Sequence, residues 1–407
     1  TLANSITFST TNNNLTFNNT IDGTTASTEN LTASTGTGNI TFGGTVGNIT
    51  PLNNIIANSS GTTNFGNTVN AAGITTDAGG TTTISGNITT TGAQTYGDAV
   101  TLANSITFST TNNNLTFNNT IDGTTASTEN LTASTGTGNI TFGGTVGNTT
   151  QLGNIIANSS SITNFNNTVN ATTITTDASG TTKIGGNITT TELQTYNDPI
   201  VLTNSAILTN NNNNFTFNSS INGTNSTENL TLNSGTGNIT FNQAIGNITQ
   251  LGNLIANSSG TTNFNNTVNA ATITTDLGGT TNIRNNITTT GDQSYNDAVI
   301  LGNSAVLTTT NNGNITFNNS INADVGLEGL TVTTNTGDII FNNPVGSTTP
   351  LSNLTINNGG TLTIAAAADI KLNGTFNQTG SGAVNLAGDI ITNNNDILLT
   401  SPVTLTG

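Results

Sequence analysis

The chain has 407 residues, of which 5% are charged and 4% aromatic, and its 19 acidic residues face only Lys183, Arg284 and Lys371, for a net charge of −16. That balance leaves no basic footprint to neutralise phosphates, which excludes nucleic acid as a partner, and it equally excludes attraction to an anionic membrane. His, Cys, Met and Trp are all absent, so the usual general bases, thiol nucleophiles and soft metal ligands are missing together, and no apolar run is long enough for direct membrane insertion.

In chain order, the first element is the phrase LTFNNTI at residues 15–21: an aliphatic residue, a Thr, an aromatic, three small polar residues and a β-branched residue. It returns as ITFGGTV at 40–46, TNFGNTV at 63–69, TTISGNI at 82–88 and QTYGDAV at 94–100. Alternation up to the aromatic predicts a strand with one buried face. The small residues after it predict a tight bend before the next apolar residue turns inward. No helical period is present.

The phrases are grouped into a longer repeat. Residues 1–48 are identical to 101–148, and related sequence continues to 100 and 200. A third unit occupies 201–299, one residue shorter, and a divergent fourth unit or C-terminal cap occupies 300–407. The repetition predicts one continuous body rather than two or three globular domains. The first residues already lie inside the repeat and Met is absent, so the expectation is a mature product or a piece of a longer chain.

A chain this rich in Thr, Asn, Gly and Ser could be read as disordered. Against that stand only 5 Pro residues and apolar residues that are β-branched or Phe at fixed places in each phrase. The predicted fold is all-β, a parallel β-solenoid of the right-handed β-helix type with coils of about 20 residues. One coil cannot bury its apolar side alone, whereas stacked coils form a continuous core. Roughly 20 coils at about 4.8 Å each would give a rod on the order of 100 Å.

The predicted core ladder is Phe17, Phe42, Phe65 and Ile84 in the first unit, continuing to Phe117 in the second. Tyr96, Phe142, Phe165, Phe217, Phe241, Phe264, Phe317 and Phe341 extend it, each stacking on its equivalent in the next coil. Asn and Thr are expected to form polar ladders of the same kind. With so few charges, stability should be nearly indifferent to salt, and largely to pH above the carboxylate range.

GGTTTISGNITTTGAQTYGDAVTL (residues 79–102) and STGTGNITFGGTVGN (34–48) resemble the repeats of very large bacterial surface exoproteins of the filamentous-haemagglutinin type. The resemblance covers nearly the whole chain and is weakest after residue 351. It implies a right-handed β-helical adhesin at the cell surface or outside the cell, exported through an outer-membrane translocator. The family's N-terminal secretion domain and C-terminal anchor are not in this sequence. The absence of Cys suits a chain threaded unfolded across an outer membrane.

Some β-helices are polysaccharide lyases or hydrolases, which makes the acids the candidate catalytic set. They recur singly: Asp22, Glu29, Asp77 and Asp98, then Asp122, Glu129, Asp177 and Asp198. Near-identical units would multiply any site, whereas active sites are few per protein. The expectation is therefore no enzyme, no catalytic residue and no cofactor. Asp98, Asp198 and Asp297, each two residues after a Tyr, read as turn residues rather than Ca²⁺ ligands, because no clustered-carboxylate loop is present. Asn14, Asn30, Asn39 and Asn48 begin Asn-x-Ser/Thr sequons and are candidate glycosylation sites. The expected function is a stalk or adhesin segment, with reach from repeat number and many weak contacts to cell-surface glycans or proteins. The alternative is a self-assembling structural protein of a filament, sheath or S-layer, joined laterally or end to end through open sheet edges.

Overall fold

The computed structural model describes residues 1–407 and divides into two compact units, Thr1–Ile200 and Val201–Gly407. The division falls where the second sequence repeat ends and the third begins. Each unit is an all-β parallel solenoid without helix, with about 21 residues per coil.

In the first unit every coil passes through three ladders. The first rises from Ile6 through Leu31, Ile55, Ile74 and Gln94 to Leu115. The second runs Leu15, Ile40, Thr63, Thr82, Val100, Ile121. The third runs Ile21, Val46, Val69, Ile88, Phe108, Ala133. The seven-residue phrase is the corner between two ladders: Phe42 closes one strand, Gly43, Gly44 and Thr45 make the bend, and Val46 turns inward on the next face. Away from the first and last coils the inward positions are buried, and strands such as Ile140–Phe142 show the buried–intermediate–buried pattern that alternation predicts.

Coil length varies because loops are added at the corners. The step from Ile6 to Leu31 takes 25 residues and contains an excursion at 23–30, whereas the step from Ile55 to Ile74 takes 19.

The aromatic residues stack, but not as one column. Phe17, Phe42 and Phe65 lie 5.2 and 5.0 Å apart with nearly parallel rings, and the next member of their ladder is Ile84. Ile84 is then followed by Leu102, not by Phe117. Phe117 instead stacks on Tyr96 at 5.1 Å, on the neighbouring ladder, and Phe142 and Phe165 continue that column at 5.6 and 5.0 Å. The single ladder expected from sequence is thus corrected to a column that restarts one face over in each repeat. Five turns carry Ile6 to Leu115, so the 100-residue unit spans about four and two-thirds turns. Ile106, the copy of Ile6, consequently lies on the third ladder rather than the first.

The second unit behaves alike. Its first ladder runs Ala206, Leu230, Leu254, Ile273, Gln293, Ile315. Ala305, the copy of Ala206, sits beside Leu307 on the ladder of Val268 and Ile287. Phe217, Phe241 and Phe264 stack at 5.1 and 5.3 Å, and Tyr295, Phe317 and Phe341 at 5.2 and 5.1 Å. All of these rings are buried, while Phe17 is half-buried. Outside the core, Asn218, Asn242 and Asn265 form an amide ladder with Nδ2-to-Oδ1 distances of 2.8 and 2.9 Å.

Candidate functional site

Once in every repeat the chain leaves the coil twice at the same corner, and the two excursions lock together. In the first repeat, the Oδ1 of Asp22 accepts the N–H groups of Ile49 and Thr50 at 2.8 and 3.2 Å. Ser27 N–H donates to Pro51 O at 2.8 Å. Glu29 folds back beneath its own loop and accepts the Thr24 hydroxyl at 2.7 Å and Thr25 N–H at 3.2 Å. The Thr24 hydroxyl chiefly, helped by these N–H bonds, holds the Glu29 carboxyl below the usual range. Burial opposes ionisation of Glu129 and Glu228, but backbone N–H bonds outweigh it and their pKa values are also lowered.

The same construction recurs with Asp122 accepting from Thr149 and Thr150, Asn222 from Ile248 and Thr249, and Asn322 from Thr348 and Thr349. At the loop tip Ser27, Ser127 and Ser226 are left-handed, with φ of 56°, 63° and 62°; Gly326 takes that place in the fourth repeat. Ile49 and Ile248 stand 83% and 82% exposed beside them. Sequence reasoning missed this site, although a signal was present. An Asp or Asn followed by a Glu six or seven residues later occupies this corner in all four repeats.

The QTY-x-D phrase forms a second, internal cluster. Tyr96 donates its hydroxyl to Gln94 Oε1 at 3.0 Å, and Gln94 Nε2 donates to Ser109 O at 2.8 Å. Asp98 accepts Gly80 N–H and the Thr82 hydroxyl, both at 2.9 Å. Asp198 accepts the Thr176 and Thr182 hydroxyls at 2.6 and 2.8 Å, and Asp297 accepts Gly279 N–H at 2.8 Å. Asp98 and Asp297 do receive turn N–H groups, but all three aspartates are buried in the corner rather than exposed on it.

Nor are they solitary in space. Asp77, Asp177 and Asp276 lie near enough to raise the pKa of Asp98, Asp198 and Asp297. The larger cause is burial, which pushes Asp198 and Asp297 up to about 6. The pH-sensitive range therefore extends above the ordinary carboxylate values expected from composition. No three metal-ligating side chains come together anywhere in the chain.

Three of the four candidate glycosylation residues are bonded into the coil. Asn14 Oδ1 accepts Asn39 N–H at 2.9 Å, Asn30 accepts Asn54 N–H at 3.1 Å, and Asn39 accepts Thr62 N–H at 2.9 Å. The sequon pattern has a structural origin there: Asn caps the coil above, Ile40 or its equivalent enters the core, and Thr41 faces outward. Asn48 differs, standing exposed in the second loop.

No protein-family profile, no curated protein and no solved structure matches this chain.

Proposed function

We propose that the chain is a non-enzymatic segment of an extracellular bacterial surface protein of the filamentous-haemagglutinin type, a stalk that also adheres. The observation that carries this reading is the paired-loop device, built four times on the same scaffold by an Asp or Asn and a Glu. Repetition of one modest contact site yields avidity without a deep pocket. The reading is supported further by the carboxylate pairs, in each of which one member, Asp98, Asp198 or Asp297, is sealed from solvent and out of reach of a substrate.

Electron microscopy of the purified chain over a concentration series, run beside adhesion of chain-coated beads to host cells, tests it. Separate rods at every concentration together with bead adhesion are the expected result. Filaments that lengthen with concentration, with no adhesion, would replace the stalk by a self-assembling structural protein.

A further inference from the structure

The third repeat holds a groove of about 580 Å³ between its paired loops and the neighbouring coils, bordered by Ser226, Ile248, Gln250, Asn269, Thr288 and Thr290. Its volume is within the range of ligand sites. No charged side chain lines it, and the net charge of −16 repels anions. What it offers is a set of hydroxyl and amide groups, each able to donate and accept, beside one apolar surface, the exposed side chain of Ile248. That pairing matches a sugar ring, whose edge is hydroxyl and whose face is C–H. The walls are already rigid: Asn222 fixes the N–H groups of Ile248 and Thr249, and Glu228 fixes those of Thr224 and Asn225. A site ordered before binding loses less entropy on binding.

The backbone supplies an independent pointer. Ser226 borders the groove with φ of 62°, a region costly for any residue but Gly. The fourth repeat has Gly326 there, so the fold accepts the unstrained residue, yet Ser27 and Ser127 keep the hydroxyl as Ser226 does. In the second repeat that hydroxyl donates across the paired loops to Gln151 Oε1 at 3.1 Å, so the strained serine is kept where it serves a polar contact at the rim of the groove.

We propose that this groove binds a neutral oligosaccharide, Ser226 and Asn269 contacting its hydroxyls and Ile248 the apolar face of a ring. Ser27, Ile49, Asn70 and Thr89 occupy the corresponding positions in the first repeat. The inference rests on the reading of the chain as an adhesive segment and names the class of its ligand.

The test is saturation-transfer NMR and calorimetry of the full chain with maltohexaose, chitohexaose and mannohexaose, with sialyllactose as the anionic probe. At least one neutral probe should bind and sialyllactose should not. The combined variant Ser27→Gly, Ser127→Gly and Ser226→Gly keeps the backbone that Gly326 already adopts, and should weaken that binding about fivefold, as loss of a hydrogen bond does. Ile248→Thr with Ile49→Thr, which copies the residue at 149, should weaken it comparably.

Binding of no neutral probe, equal binding of sialyllactose, or full binding by the Ser→Gly variant would each overturn the proposal. Bead adhesion to cells separates the two levels. Adhesion that survives the Ser→Gly variant would leave the stalk standing and remove the groove, while absence of adhesion by the native chain would remove the stalk itself.

Discussion

At the scale of single residues, the buried polar groups set the chemistry of this solenoid. Asp198 and Asp297 titrate near 6 because the fold disfavours their charged form. Since their folded pKa values lie above the unfolded ones, their favourable contribution is complete below about pH 4 and is lost as pH rises through about 6. Glu29, Glu129 and Glu228 act oppositely, contributing above the usual carboxylate range and ceasing to as the pH falls below it. The melting temperature should therefore rise between about pH 7.5 and about pH 5 and fall again in stronger acid. Asp198→Asn with Asp297→Asn should flatten the upper limb. Circular dichroism melts would decide it, and a melting temperature flat from 7.5 to 5 in the native chain would refute the assignment.

A second residue-scale expectation concerns Thr63, Thr163 and Thr262, whose buried hydroxyls have no hydrogen-bond partner. Their ladder neighbours include Ile40, Ile140 and Ile239. Thr→Val at these sites removes an unpaired polar atom at nearly constant volume and should stabilise by about 1 kcal/mol each, read as a higher denaturant midpoint. A lowered midpoint would mean that the hydroxyls are satisfied.

At the scale of the element, the corner is the working part. The Oδ1 of Asn39 holds Thr62 N–H from the next coil, whereas Asn48 lies free of the coil in an exposed loop. Asn39→Ala should lower stability by about 1 kcal/mol, Asn39→Asp by less, and Asn48→Ala hardly at all. Equal effects at 39 and 48 in chemical denaturation would contradict the capping role.

This contrast also shows what the sequence discloses. The strand, its inward Phe and the small-residue bend are readable because they lie within seven consecutive residues such as ITFGGTV. The vertical partners are not, because they lie 18 to 25 residues away across loops of unequal length. For that reason Asp98 reads only as a turn residue until the coil closes over it, and the bond from Thr62 N–H to Asn39 Oδ1 is invisible in the sequon that Asn39 begins. The paired loops were hidden similarly: Asp22 and Thr50 are distant in sequence and adjacent in space.

At the scale of the whole molecule, stability should be close to a sum over coils and their immediate neighbours. A further copy of residues 1–100 inserted ahead of residue 101 creates only junctions already present within Thr1–Ile200, because 1–48 and 101–148 are identical. That longer chain should keep the same β signal per residue and the same melting temperature. A loss of cooperativity on insertion would show that the repeats are not interchangeable.

Because a repeat spans about four and two-thirds turns, each insertion also changes direction. Whatever follows it in the same solenoid is swung a third of the way around, and a third insertion restores the original heading. Recombination between near-identical coding repeats would thus act as a dial as well as a ruler. Loops that faced one neighbour come to face another, and a new orientation is reached without altering a single contact residue.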